Sequence, residues 1–340
     1  MNQTCNTTLL SKSSSNALKI IFEVMVLFHH LYAPYTTLGG HIDGMAGVVA
    51  VGGFLIVSGY GVGVSYLAKG DSYRDKILKV RIPKFYAIIL VADLFYLWLH
   101  FYTNNTFDNF FDLLVSVLYL PVFSGFVPLS HYIYFLADLI IYYAMFLIFS
   151  RVFSNEKKPL VATAVAILVL DLIIIAILTV INMETGSNRH LRACLCFPLG
   201  LLLAEVLKDE SGRALFKELK WTLVTWLMIF GVAIVVLTAD VSVAEYVLPL
   251  LFSSAIVVAF FGVSIKSKAV NYCSQLVLYV YASHELFREL FEYCYPNLNT
   301  NVCAILVVIV SVLVAVVIHE LTINLADNKS EQKVLKKAMN

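Results

Sequence analysis

Ten apolar runs follow one another from residue 17 to residue 322, near 17–35, 44–68, 82–101, 131–150, 159–181, 191–207, 220–239, 244–265, 271–290 and 301–322. A hydrocarbon core about 30 Å thick needs roughly 20 residues of helix to cross it. A chain with this pattern has one kind of solution, an all-α bundle of membrane-spanning helices, because only helices and closed barrels satisfy their backbones in lipid. Composition agrees. Only 14% of the 340 residues are charged and 60% are hydrophobic, against roughly 25% and 45–50% in soluble domains. Mean hydropathy is +0.83. A soluble enzyme, a disordered regulator and a nucleic-acid binder are excluded. The 13% aromatic content suits a bundle with interfacial belts.

An eleventh candidate, 110–125, is short and contains Asp112 and Pro121. Charge decides its status, since cytoplasmic loops are enriched in Lys and Arg. If 110–125 does not span and the N-terminus is inside, 21 of the 24 Lys and Arg are cytoplasmic, leaving Arg189, Arg192 and Arg288 outside. If it spans, the split becomes 11 against 13. The expectation is ten spans, both termini cytoplasmic, and a re-entrant or interfacial segment at 110–125. In domain terms, a polar N-terminus at 1–16 precedes a single membrane domain at 17–326, followed by a basic tail at 327–340 that is solvated or lies against anionic lipid. The N-terminus has no basic leader with a small-residue cleavage site, so the first run reads as a retained span. The six cysteines, scattered and without a Cys-x-x-Cys pair, read as small buried hydrophobes rather than a metal site or disulfide framework.

Ionisable groups are costly inside a bilayer and are functional candidates by default. The first run carries Lys19, Glu23, His29 and His30. At 3.6 residues per turn, Glu23 lies about 40° from Lys19 and His30 about 20° from it, with His30 roughly 16 Å further along the axis. Lys19 and Glu23 form an i,i+4 pair expected to neutralise one another. His30 is then either a hydrogen-bonded bundle histidine or a general base, since a near-neutral imidazole can take a proton from a hydroxyl. His41 and Asp43 are loop residues or members of the same pocket. In the second run, Gly52, Gly53, Gly59, Gly61 and Gly63 mark a face approached by another helix or by a ligand. The following stretch from Lys69 to Lys84 holds six cations in sixteen residues. It is a topology signal, a lipid contact, or a grip for the phosphates of a cytoplasmic ligand. Asp93, Asp138 and Asp171 are isolated acids in other runs, as proton-coupled transport would need.

Six segments share a further pattern: LKIIFEVMVLFHHL, FLIVSGY, KILKVRIP, HYIYFLADLIIYY, RACLCFPLGLLLAE and LVLYVYASHELF. In this order they resemble the membrane-bound acyltransferase family 3, the ten-helix O-acyltransferases of cell-surface glycans, over residues 17–322. The family's first-helix cation and the His eleven residues later correspond to Lys19 and His30. Its Arg-x-x-Arg pair is replaced by Lys76-x-x-Lys79, with Arg81 nearby, and Lys lacks the guanidinium fork. The resemblance implies His30 as the catalytic base, with Lys19, Lys76, Lys79 and Arg81 holding acyl-CoA. Glu23, Ser58, Tyr60, Tyr281 and His284 would line the pocket. It implies no bound cofactor and no metal, with acetyl-CoA as co-substrate and a glycan hydroxyl as acceptor. Membrane lipid is the other expected partner, nucleic acid is not one, and a homodimer is compatible. The implied location is a bacterial plasma membrane. The competing class is a transporter or export component for acyl groups or lipid-linked glycans, which would depend on the buried acids instead.

Overall fold

The structure is a computed structural model of the chain that describes residues 9–31, 40–102, 134–180, 193–237 and 241–339. Among the described residues it is helical and has no strand. In chain order the helices are α1 (Lys12–Leu31), α2 (Gly40–Lys69), α3 (Asp71–Lys76), α4 (Ile82–Tyr102), α5 (Tyr134–Val152), α6 (Pro159–Val180), α7 (Cys196–Val206), α8 (Glu210–Leu237), α9 (Val241–Phe260), α10 (Lys268–Cys294) and α11 (Thr300–Met339). The segment 110–125 lies outside the described residues.

Each of the ten apolar runs overlaps a helix among the described residues. Among the described residues, six stretches are long and apolar enough to cross a membrane: Ala46–Lys69, Asp71–Leu99, Tyr134–Val152, Pro159–Ile177, Glu210–Val235 and Thr300–Asn324. Cys196–Val206 and Val247–Phe260 are apolar but shorter. α1 and α10 do not qualify, and both carry ionisable residues that lower their hydropathy. α8 shows the bilayer as solvent most directly. Leu215, Leu219, Trp221, Trp226, Ile229 and Phe230 are all exposed, an apolar surface that water would not tolerate on a folded monomer.

Two boundaries differ from the apolar runs. α1 begins at Lys12, because the Ser11 hydroxyl accepts the Ser14 amide at 3.1 Å and caps the helix start. The Lys69–Lys84 stretch, read as a basic loop, is helical apart from the turn at Gly70, with a π-helical turn at Ile77–Arg81. Pro83 follows immediately. Its ring clashes with the carbonyl four residues back and it donates no hydrogen bond, which explains a widened turn there.

α2 is the centre of the bundle and packs against α1, α7 and α9. Gly52, Gly53, Gly59 and Gly63 serve helix approach, one of the two alternatives read from the sequence, whereas an added Cβ on Gly61 would meet nothing within 4 Å. A Cβ on Gly200 of α7 would lie 2.6 Å from the Tyr60 amide nitrogen and 3.0 Å from the Gly59 carbonyl carbon. A Cβ on Gly52 would lie 2.6 Å from Ser253 Oγ of α9 and 3.0 Å from Cys196 Sγ. Gly53 takes the Phe22 ring of α1. Because the neighbours of Gly200 are backbone, they cannot swing aside. Gly200→Ala is expected to destabilise the protein by about 1–3 kcal/mol through overpacking, read as a lower midpoint of thermal unfolding in detergent. An unchanged midpoint would show that the α2–α7 crossing is loose. Of the cysteines, Cys194, Cys196 and Cys303 are buried as expected, whereas Cys273 and Cys294 are exposed.

Candidate functional site

α1 ends with its histidines turned towards α2 and α10. His29 lies against Gly47, where an added Cβ would come within 2.5 Å of its ring. The His29 and His30 rings meet edge-on, 4.9 Å apart between centroids. Neighbouring residues point about 100° apart on a helix, so His30 faces α10 instead. His30 Nδ1 stands 3.8 Å from Glu285 Oε2, and its ring centroid is 5.1 Å from that of His284.

Glu285 is 3% exposed and is held firmly. Arg288, one turn further along α10, donates through Nε to Glu285 Oε2 at 2.9 Å and through Nη2 to Oε1 at 2.5 Å. Its Nη1 donates to Glu292 Oε1 at 2.8 Å. This fork-to-fork geometry fixes the carboxylate in space as well as balancing its charge. Next to it, Tyr96 of α4 donates to Glu289 at 2.7 Å. His284 is fully buried, with Nδ1 3.3 Å from the Val280 carbonyl. Tyr281 continues the wall, 6.0 Å from His284 and 5.7 Å from Phe135 between ring centroids. Phe135 in turn meets Phe54 at 5.1 Å.

His30, His284 and Glu285 offer donor atoms within 4.8 Å of one another. That spacing invites a metal ion, but the charges argue otherwise. Both Glu285 oxygens already accept from a guanidinium, which would repel a divalent cation and would have to be displaced. The cluster sets a buried carboxylate 3.8 Å from one ring nitrogen of His30.

At the opposite end of α1, Lys19 has Arg81, Lys12 and Lys84 as its charged neighbours. None of the four is in an ion pair among the described residues. Arg81 donates to the Tyr143 hydroxyl at 3.3 Å, and its guanidinium lies 5.2 Å from the Tyr73 ring centroid. Ser58 shares a hydrogen bond with the same Tyr143. Lys84 sits 5.9 Å from the Tyr279 ring centroid. Asn16 of α1 bonds Asn271 of α10 at 3.0 Å, clamping the two helices at this end.

The expected site residues therefore divide. His30, Tyr281 and His284 meet at one end of the α1–α10 pair, and Lys19 and Arg81 gather at the other with Ser58 beside Tyr143. Lys76 is exposed, and Lys79 is 71% exposed and spent on Asp75 at 3.3 Å. Neither is brought to Lys19, because the π turn rotates Arg81 inward and leaves them outward. Tyr60 is 5% exposed, bonds the backbone of Leu10 and packs edge-on against Phe261 at 5.2 Å. Two residues after Ser58, it points about 200° away on the helix and lies outside the pocket. Glu23 is 4% exposed, and neither carboxylate oxygen has a hydrogen-bond partner among the described residues. The expected Lys19–Glu23 pair is not formed. His41 and Asp43 begin α2 rather than occupying a loop.

Lys12, Tyr143, Glu285 and Arg288 were not expected, and Lys84 only as one of the six cations from Lys69 to Lys84. Glu285 and Arg288 had a signal, an acid and a base one turn apart beside His284 in an apolar run. The buried acids are not isolated either. Tyr142 lies 3.5 Å from Asp171 Oδ2 and has Asp138 as a second acidic neighbour.

Fold and site together define a class: a polytopic helical membrane protein with a titratable cluster buried between its helices. Within that class, the family 3 acyltransferase model, described as an acyltransferase domain, matches residues 12–320. The chain belongs to acyltransferase family 3 and is a membrane acyltransferase. No curated protein and no solved structure matches it.

Proposed function

We propose that this acyltransferase moves an acetyl group from acetyl-CoA on the cytoplasmic side to a hydroxyl of a cell-surface polysaccharide or its lipid-linked precursor, in a bacterial plasma membrane. The observation that carries the reading is the polarity of α1. One end collects Lys12, Lys19, Arg81 and Lys84 without counter-charges, as the phosphates of CoA require. About 16 Å along the same helix, His30 stands beside Glu285. The 21:3 split of Lys and Arg supports the cation end, and with it both chain termini, as cytoplasmic.

The reaction runs as follows. The acceptor hydroxyl gives its proton to His30 Nε2 as its oxygen attacks the thioester carbonyl carbon. Glu285 balances the charge on the imidazolium from the Nδ1 side, and Arg288 keeps Glu285 aimed. The tetrahedral intermediate collapses, the C–S bond breaks, and the departing CoA thiolate takes the proton from His30. An ester and free CoA result.

Sealed membrane vesicles of defined orientation test this. With [14C]acetyl-CoA supplied to the cytoplasmic face, alkali-labile label is expected in surface glycan, and NMR of cells with and without the protein should show the O-acetyl difference. Label appearing equally from the outer face, or none from either, would overturn the reading. A transporter would instead depend on Asp138 and Asp171 and form no ester.

The cation cluster makes a separate prediction. Lys19→Gln and Arg81→Gln are each expected to raise the KM for acetyl-CoA about 10-fold, the worth of one charge-assisted hydrogen bond, while kcat stays within about twofold. The wild-type KM should climb with salt, since Lys12 and Lys84, the exposed members of the cluster, are screened. A salt-independent KM would place the phosphates elsewhere.

A further inference from the structure

α1 and α10 run side by side in the same direction and in register. Asn16 bonds Asn271 at one end of their seam, and His30 stands 3.8 Å from Glu285 at the other. The two pairs are separated by the same number of residues on each helix, 16 to 30 and 271 to 285. Seven residues make two turns less about 20°, so Glu23, midway on α1, lies on the same stripe. Its counterpart at that level of α10 is Leu278. The outer two polar levels of the α1 stripe are thus matched across the seam, and the middle one is set against an apolar position. Glu23 is 4% exposed, and neither carboxylate oxygen has a hydrogen-bond partner among the described residues.

A carboxyl buried without counter-charge or hydrogen bond is among the costliest groups a bundle can hold. A ligand in the seam answers it, and the level of Glu23 selects which part of a ligand. Lys19, one turn back on α1, gathers Arg81 and Lys84. Lys84 lies 5.9 Å from the ring of Tyr279, the neighbour of Leu278, which brings the cation cluster to the same seam. His30 lies about 10 Å from Glu23 the other way along the helix. A CoA thioester with its phosphates on the cations and its carbonyl at His30 runs its pantetheine arm between these points. That arm is uncharged and carries two secondary amides. An extended chain advances roughly 3.3–3.6 Å per three bonds, which puts the first amide nitrogen roughly 5 Å and the second roughly 9 Å from the thioester carbon. The second comes level with Glu23. A carboxylic acid offers one donor and one acceptor side by side, the complement of an amide's C=O and N–H.

We propose that Glu23 holds the donor's arm in the seam between α1 and α10, bonding the amide nearer the phosphates and so setting where the thioester stops relative to His30. This rests on the acetyl-CoA reading above and adds a selectivity to it: the site distinguishes an arm with both amides from one that ends after the first.

The test uses full-length protein in lipid nanodiscs with [14C]acetyl-CoA and surface polysaccharide stripped of its esters by mild alkali. Pantetheine, with both amides, and N-acetylcysteamine, with the first alone, are added as inhibitors. Wild type should bind pantetheine at least 10-fold more tightly than N-acetylcysteamine. Glu23→Met, apolar and of similar length, is expected to shrink that gap to within about threefold and to raise the KM for acetyl-CoA about 10-fold. Its unfolding midpoint in detergent should not fall, because the change removes a buried acid that has no partner. Glu23→Gln keeps a donor and an acceptor at the same reach and should recover most of the loss. A gap that survives the methionine, inhibition by neither thiol, or a glutamine variant as impaired as the methionine overturns the assignment and leaves the acyl-transfer reading standing. So does a lowered midpoint with an unchanged KM, which would make Glu23 structural. A wild-type protein that transfers nothing from acetyl-CoA to the polysaccharide refutes that reading and this inference with it.

Discussion

His30→Ala is expected to lower acyl transfer about 1,000-fold, inside the 10²–10⁴ range that a positioned general base contributes, while the protein stays in the membrane at wild-type amount. The side chain is 23% exposed at the last turn of α1, so its removal opens little buried space and should cost little stability. Immunoblotting of the membrane fraction separates lost chemistry from lost protein. The alanine also leaves room for a small molecule. Added imidazole should recover part of the rate, because it can accept the proton from the same place beside Glu285, and an unreactive analogue of similar size should not. Activity within about twofold of wild type would show that His30 is a bundle histidine and that the proton leaves by another route.

What the sequence could disclose was set by range. The 3.6-residue period placed Lys19 and His30 on one face of one helix, and both ends of that face carry the site. The same arithmetic gives Ser58 and Tyr60 opposite directions, which is why only Ser58 reaches Tyr143. Small residues at helical spacing announced the close approach of α7 and α9 to α2, although not which helices would arrive. The Lys19–Glu23 pair failed for a reason that spacing does not contain. An i,i+4 pair forms when both side chains are free to meet, yet Glu23 is buried, whereas Lys19 stands among the cations of α1 and α4. Glu285 and Arg288 lie about 255 residues from His30 in the chain, and only packing of α10 on α1 brings them into range. Charge sorting gives an expectation for the orientation of the bundle because it sums over many loops. The partner of a single histidine depends on one contact.

Glu285→Gln isolates that contact. The amide keeps the shape and one acceptor oxygen, so it still bonds Arg288, but it carries no charge to balance an imidazolium on His30. kcat is expected to fall about 100-fold, less than the roughly 10⁴-fold lost when a histidine base loses a directly hydrogen-bonded carboxylate, because the approach here is 3.8 Å. The KM for acetyl-CoA should move by less than twofold, since in the proposed reaction the donor phosphates are held at the other end of α1. Arg288 retains Glu292 at 2.8 Å, which limits the damage to folding, and the unfolding midpoint in detergent measures what remains of it. A purely structural role for Glu285 predicts a different pattern: less folded protein with kcat per folded molecule intact. Glu285→Asp restores the charge at a shorter reach and should recover part of kcat if charge matters. Arg288→Lys preserves a cation but loses the two-pronged grip on both oxygens, so it should fall between wild type and Glu285→Gln. If Glu285→Gln retains wild-type kcat, the 3.8 Å approach to His30 is incidental, and the carboxylate serves only to anchor Arg288.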